Sequence, residues 1–340
     1  MIITTIQELR LASPAHALDS IDGLVGFIDN SEHDFLEDKL GTPLYDALCK
    51  WYDENPVTRS TVSDYQTGYW NRLLLMAQRV VAFDALGRAI GMQAISVNNA
   101  GINQMIADDY PAPDKNGKTI DLYRDTCFKE AHAALNQLLR QLEQWCKEGG
   151  EDEERSEIVT LWKQSRYYYL AAALLIPSCE VLQSYLNIYD SREKFIQMLP
   201  DLQFIQEEII GNSIGEDLLK VVIDFARDGK MPSDDVAGIP VASLTEAALQ
   251  RLVHRLRKVM VALLQGRTAV LKYTKEQKVQ AHDDGVRMLQ NVAEYLKSLV
   301  PVEPAPAPAP DKPSPCNSPC TGGFVKEHSS GAAMWTPPLL

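Results

Sequence analysis

Six histidines, at positions 16, 33, 132, 254, 282 and 328, are the side chains best suited to move protons or hold a metal near neutral pH. No two of them stand at the HExxH or Glu-x-x-His spacing that turns two ligands onto one helix face. Glu32-His33, Glu130-x-His132 and His282-Asp283-Asp284 put acids beside histidine in sequence, yet neighbours one or two apart on a helix point in different directions. They read as surface charge. Six cysteines, at 49, 127, 146, 179, 316 and 320, contain no CxxC; the first four fall in helical patterns as reduced core thiols. Cys316 and Cys320 leave zinc two ligands short. A P-loop, a dinucleotide fingerprint and a hydrolase triad are not expected to supply chemistry. The polar stretch Asp108 to Lys118 lacks the ligand alternation of a calcium loop and reads as a turn-rich connector. Tyr167-Tyr168-Tyr169 cannot share one helix face for stacking on bases. The expectation is a non-enzymatic protein without cofactor or metal; a cleft of convergent polar groups around His132 or His254 would be the sign of an enzyme.

The elements that would position these residues are nearly all helices, because the apolar residues recur at spacings of three and four. Leu249, Leu252, Val253, Leu256, Met260 and Leu263 form one stripe, and Leu73, Met76, Ala77, Val80 and Phe83 form its counterpart. Final helices are predicted over about Asp121 to Cys146 and Thr274 to Leu299. Thr5 with Glu8, Ser213 with Glu216, Ser243 with Glu246 and Thr274 with Gln277 have capping-box spacing, and Thr42 precedes a proline suited to a first helical turn. Gln93 to Val97 and Ala269 to Tyr273 are the only strand candidates, as short arms or hairpins. The longest apolar stretch, Tyr167 to Ile176, stops at Pro177, short of the roughly 20 residues that cross a bilayer, and is predicted as a buried helix.

The 340 residues carry 33 Lys+Arg against 46 Asp+Glu, a net charge of −13, which argues against a main task of gripping nucleic acid or anionic lipid. Nothing at the N-terminus reads as a secretory signal, so a cytoplasmic setting is expected. Two glycines and five acids interrupt the helical pattern between Lys147 and Arg155. The expected organisation is a helical module over 1–148, an acidic linker over 149–155, a second helical module over 156–299 and a Pro/Ala-rich extended, disordered tail over 300–340. Ten of the 19 prolines lie beyond residue 300. The segment 322–340 reads either as a plain solvated tail or as a docking motif held out on a semi-rigid spacer. Phe324, Val325, Met334, Trp335, Leu339 and Leu340 are the interface candidates for the second reading.

The two modules look like an internal duplication. Asp34 to Gly41 followed by Thr42 to Leu48 resembles Phe204 to Gly211 followed by Asn212 to Leu218, each reading as a helix, a glycine stop and a new helix. At a different offset Arg72, Arg79, Gly87 and Arg88 pair with Arg251, Lys258, Gly266 and Arg267. For Arg88 and Arg267 the expected role is to offset the helix dipole and pair with neighbouring acids. For the others that account and an acidic partner in a ring of identical subunits both stay open.

Three stretches carry a likeness to a known family: Phe27 to Leu48, with its Leu-Gly and Leu-Tyr-Asp-Ala-Leu; Ala94-Ile-Ser-Val-Asn-Asn-Ala-Gly-Ile102; and Ser191 to Gly211. With their flanking helices they resemble an uncharacterised family of all-helical phage and prophage proteins related to head-tail connectors, or adaptors. Asn98 and Asn99 depart from the acidic residue that the family places there. The resemblance implies a virion structural protein of the neck that self-associates and docks portal, tail or neck proteins. It would act in the host cytoplasm during assembly and then in the virion neck, with no membrane partner and no specific nucleic-acid binding. The alternative is a cytoplasmic helical scaffold or regulatory binding protein outside any virion.

Overall fold

The Thr5 hydroxyl accepts from the Glu8 backbone N–H while the Glu8 carboxylate accepts from the Thr5 N–H, and on this capping box α1 (Ile6–Ala12) begins. The computed structural model describes residues 1–13, 19–55, 61–65, 67–93, 95–98, 101–104, 118–148, 152–165, 168–170 and 173–300. The described chain is all-helical apart from one hairpin. After α1 come α2 (Val25–Ser31), a π-helical turn (Glu32–Glu37), α3 (Asp38–Leu40) and α4 (Thr42–Glu54). The long helix α5 (Tyr69–Gln93) leads into β1 (Ile95–Asn98) and β2 (Gly101–Gln104), an antiparallel pair with Ile95 opposite Gln104 and Asn98 opposite Gly101. Next stand α6 (Lys118–Lys147), α7 (Glu153–Lys163), α8 (Cys179–Gln183) and α9 (Arg192–Phe204). A second π-helical turn (Ile205–Gly211), α10 (Asn212–Ile214), α11 (Glu216–Asp228), α12 (Glu246–Arg267) and α13 (Lys275–Leu299) complete the order.

One sequence of elements therefore occurs twice: helix, π turn, a three-residue helix, a positive-φ glycine, a 13-residue helix, then two long packed helices. The glycines are Gly41 (φ 84, ψ 143) and Gly215 (φ 88, ψ 140), a conformation nearly closed to side chains with a Cβ. This corrects the expected pairing of Gly41 with Gly211, because Gly211 lies at φ −55 inside the π turn and stops nothing. With Gly41 set against Gly215, Ile28, Leu36, Leu40, Leu44 and Leu48 fall against Leu202, Ile210, Ile214, Leu218 and Val222, and all ten are buried. α5 packs along α6, and α12 along α13. Gly87 and Gly266 permit the close approach: a Cβ there would lie 2.9 Å from the Phe128 ring and 2.9 Å from the His282 Cβ.

The core runs without a break through both halves. α7 begins at Glu153 with Asp152 as its N-cap, so the acidic stretch expected to be linker up to 155 is partly helical; acids favour a helix N-terminus. α7 packs on α4, α5 and α6, and the expected boundary at 156 is thus no break in packing. Three other expectations are corrected. Residues 168–170 and 173–178 are irregular rather than helical although Tyr169, Leu174, Leu175 and Ile176 are buried. Side chains satisfy that buried backbone: Gln206 accepts from Leu175 N–H and donates to Ala173 O, and Arg257 Nε donates to Leu175 O. Ala269 to Tyr273 forms no strand and is a tight irregular connection. Ser213 caps nothing, and the cap of α12 is Thr245, not Ser243. Thr274 with Gln277 does form a capping box.

Candidate functional site

The most deeply placed charges join the two halves. Arg192 opens α9 after a turn in which Tyr189 and Asp190 take φ 60 and 52, a conformation held by Gln183, whose side-chain oxygen accepts from Ile188 N–H and Asp190 N–H. Its guanidinium donates from Nη2 to Glu143 Oε2 on α6 at 2.9 Å and from Nη1 to Asp190 Oδ1 at 3.3 Å. Tyr169 donates its hydroxyl to the other Glu143 oxygen, and Arg140 pairs with Asp190. Arg192 is 0% and Glu143 1% exposed. Burial works most strongly against the charge of Arg192, but the hydrogen bond and charge of Glu143 with the neighbouring Cys179 and Tyr169 together outweigh it and raise the pKa. Burial, then the Glu143 charge, pushes the Tyr169 hydroxyl far up, and burial pushes the neighbouring Cys179 thiol up to about 11. Both therefore stay protonated at neutral pH, and the cluster acts as a clasp between α6 and α9.

Each described histidine meets a partner on the surface. His33 lies 2.7 Å from Glu37 beside a cleft of about 470 Å³ lined by Gly41, Thr42, Gln164 and Ser165. His132 Nδ1 lies 2.7 Å from Glu193 on α9 and its ring packs edge-on to Phe35. Those carboxylates raise the pKa of both imidazoles. His254 faces the Tyr185 hydroxyl at 3.0 Å in a second cleft, about 510 Å³, with Gln250, Arg257, Phe225 and Met231. It is a concave polar site of the kind expected to signal an enzyme; Glu246 also lines it, and among the described residues no carboxylate is hydrogen-bonded to His254. The G-x-S-x-G spacing of a hydrolase nucleophile does occur, at Gly211-Asn212-Ser213-Ile214-Gly215. Ser213 sits in α10 and donates its hydroxyl to Ile209 O at 2.6 Å, away from the strand-to-helix turn that chemistry needs. Among the described residues no cluster of His, Cys, Asp or Glu could hold a metal, and no helix is long and apolar enough to cross a membrane.

Residues 36–145 match the model of DUF6712, a family of unknown function. The DUF6712-matched segment covers about a third of the chain and runs from the first π turn through most of α6. No curated protein and no solved structure matches the chain.

The interface candidates Phe324, Val325, Met334, Trp335, Leu339 and Leu340 lie outside the described residues, as do Cys316 and Cys320. Of the cations that recur on the long helices, Arg88 pairs with Asp84 at 2.6 Å and Asp34 at 3.0 Å, and Arg267 with Asp201 at 2.8 Å. The clasp of Glu143 with Arg192 was not legible in sequence, since the partners are far apart and both read as surface charge. The one local signal was Ser191, whose hydroxyl caps α9 through Lys194 N–H and so places Arg192 at the helix start.

Proposed function

We propose that the protein is a phage or prophage structural protein, a head-tail connector or neck component that works by protein–protein assembly and has no catalytic role. The observation that carries this reading is the hairpin Ile95 to Gln104, which stands after the long helix of the first half and has no counterpart after α12, where a short irregular connection leads to α13. It coincides with one of the stretches that carry the family resemblance, and a hairpin inserted in the chain between two long helices is a means of reaching a neighbour. The duplicated helical unit, as a product of internal repetition, supports a body built for packing. Portal, tail or neck proteins and further copies of the chain are its partners in this reading, in the host cytoplasm first and the virion neck afterwards.

A cytoplasmic scaffold or regulatory binding protein is the second reading, favoured by the open cleft of Tyr185 and His254. Light scattering of the full chain and of residues 1–300 over a concentration range, with negative-stain imaging, separates them. Closed rings are expected for a connector; a strict monomer at every concentration moves the weight to the scaffold.

A further inference from the structure

From Ala247 to Lys275 the chain contains no Asp or Glu, but it contains four arginines, three lysines and a histidine, within a protein of net charge −13. On α12, Arg251, His254, Arg255 and Lys258 recur at three and four spacing and are all exposed, so they line one solvent face about 10 Å long. Arg255 lies over the Tyr295 ring, and among the described residues none of Arg251, Arg255, Arg257 and Lys258 has a carboxylate within ion-pair distance. Elsewhere on the long helices Arg88 pairs with Asp84 and Asp34, Arg124 with Asp121, and Arg287 with Asp284.

The first half carries the opposite surface. Glu148, Asp152, Glu153, Glu154 and Glu157 are exposed, and the one cation among them, Arg155, is buried against Tyr69. Asp152 and Glu154 are occupied by the N–H groups of Arg155 and Tyr69. Glu153 and Glu157 stand one turn apart on α7 and have no ion-pair partner among the described residues. The geometry points to a contact in which the basic face of α12 docks on the acidic start of α7 of a second copy of this chain. The two carboxylates, one helical turn apart, match the spacing of Arg251 with Arg255, and Lys258 extends the strip by a further turn. A polyanion is the poorer fit, because so short a strip meets only a few phosphates and the remaining charge repels the rest of the strand. Since the two patches differ, each contact leaves one of each kind free at its ends, the condition for a ring or filament. This proposal rests on the assembly reading and supplies its surface.

The test is light scattering of the full chain at about 0.15 M salt, where charges beyond about 8 Å are screened. Arg251→Glu with Lys258→Glu should weaken self-association by about tenfold or more, and Glu153→Lys with Glu157→Lys should do the same. All four changes in one chain should restore it, and the two double variants mixed should bind each other. All four positions are exposed, so each variant should keep a cooperative thermal unfolding transition that reports folding, slightly lowered where Glu153→Lys puts a cation at the start of α7. An assembly indifferent to the variants, or a quadruple variant that stays weakened, overturns this surface while leaving the assembly reading in place. A wild-type chain that never associates overturns both. Loss of binding to a 20-nucleotide single strand or to anionic vesicles, without loss of self-association, assigns the strip to a polyanion and overturns the proposal.

Discussion

Arg192 Nη2 donates to Glu143 Oε2 at 2.9 Å with both side chains shut away from water, and this buried pair helps tie α9 of the second half to α6 of the first. A buried ion is expensive to leave alone, because the desolvation already incurred then goes uncompensated. Arg192→Ala should destabilise by about 3–5 kcal/mol in a urea titration. Replacing both partners, Glu143→Leu with Arg192→Met, should recover much of that loss. A double variant as unstable as the single one would show that the charge itself is needed.

The two positive-φ glycines should respond unequally. Either Gly41→Ala or Gly215→Ala forces a side chain into a backbone region that suits glycine alone, at about 1–3 kcal/mol. A Cβ on Gly41 would in addition collide with Ser165, whereas Gly215 has open space around it. Thermal unfolding should therefore rank Gly41→Ala as the more harmful. Equal melting temperatures would count against the close contact of Ser165 with Gly41.

The hydrogen bond that His132 donates to the Glu193 carboxylate raises the His132 pKa above its ordinary value near 6.5. A group whose folded pKa lies above its unfolded one gives its full stabilisation below the unfolded value and loses it as pH rises through the folded value. Unfolding midpoints of the wild type and His132→Gln, measured from pH 5.5 to about 8.5, should accordingly differ most at the acid end and converge at the alkaline end. Curves a constant distance apart would exclude a charged His132 as the source.

Removal of residues 301–340 should leave the melting temperature of the body unchanged, since the continuous core is built from residues 2 to 299. A drop of several degrees would show that the body depends on the removed segment.

Much of the helical body was legible because long amphipathic helices announce themselves. The stripes of Leu73 to Phe83 and Leu249 to Leu263 became α5 and α12, and the capping boxes at Thr5 and Thr274 open α1 and α13. The failures share one cause, which is that distant side chains overrode a local pattern. Leu174 to Ile176 is as apolar as a buried helix, but Gln206 and Arg257 satisfy its backbone and leave it irregular. Gly211 and Gly215 are both plausible stops in sequence, but the helical path runs on through the π turn and α10, and the positive φ falls at Gly215. The proposed contact was legible only as composition: the basic stretch of α12 and the acids near 150 are visible in a string, while the lack of an ion-pair partner among the described residues at Arg251, Lys258, Glu153 and Glu157 is a property of the folded surface.

α7 follows the acidic stretch in the chain but closes the helical unit that precedes it. During translation, a nascent polypeptide halted after Lys147 would hold α4, α5 and α6 with the faces that α7 covers still open to water. The first half can seal only once Glu153–Lys163 has left the exit tunnel, and Ser165 then comes to rest against Gly41. A gene fragment meant to express that half alone should end beyond Ser165, because a cut within the acidic stretch would release a sticky, chaperone-dependent product.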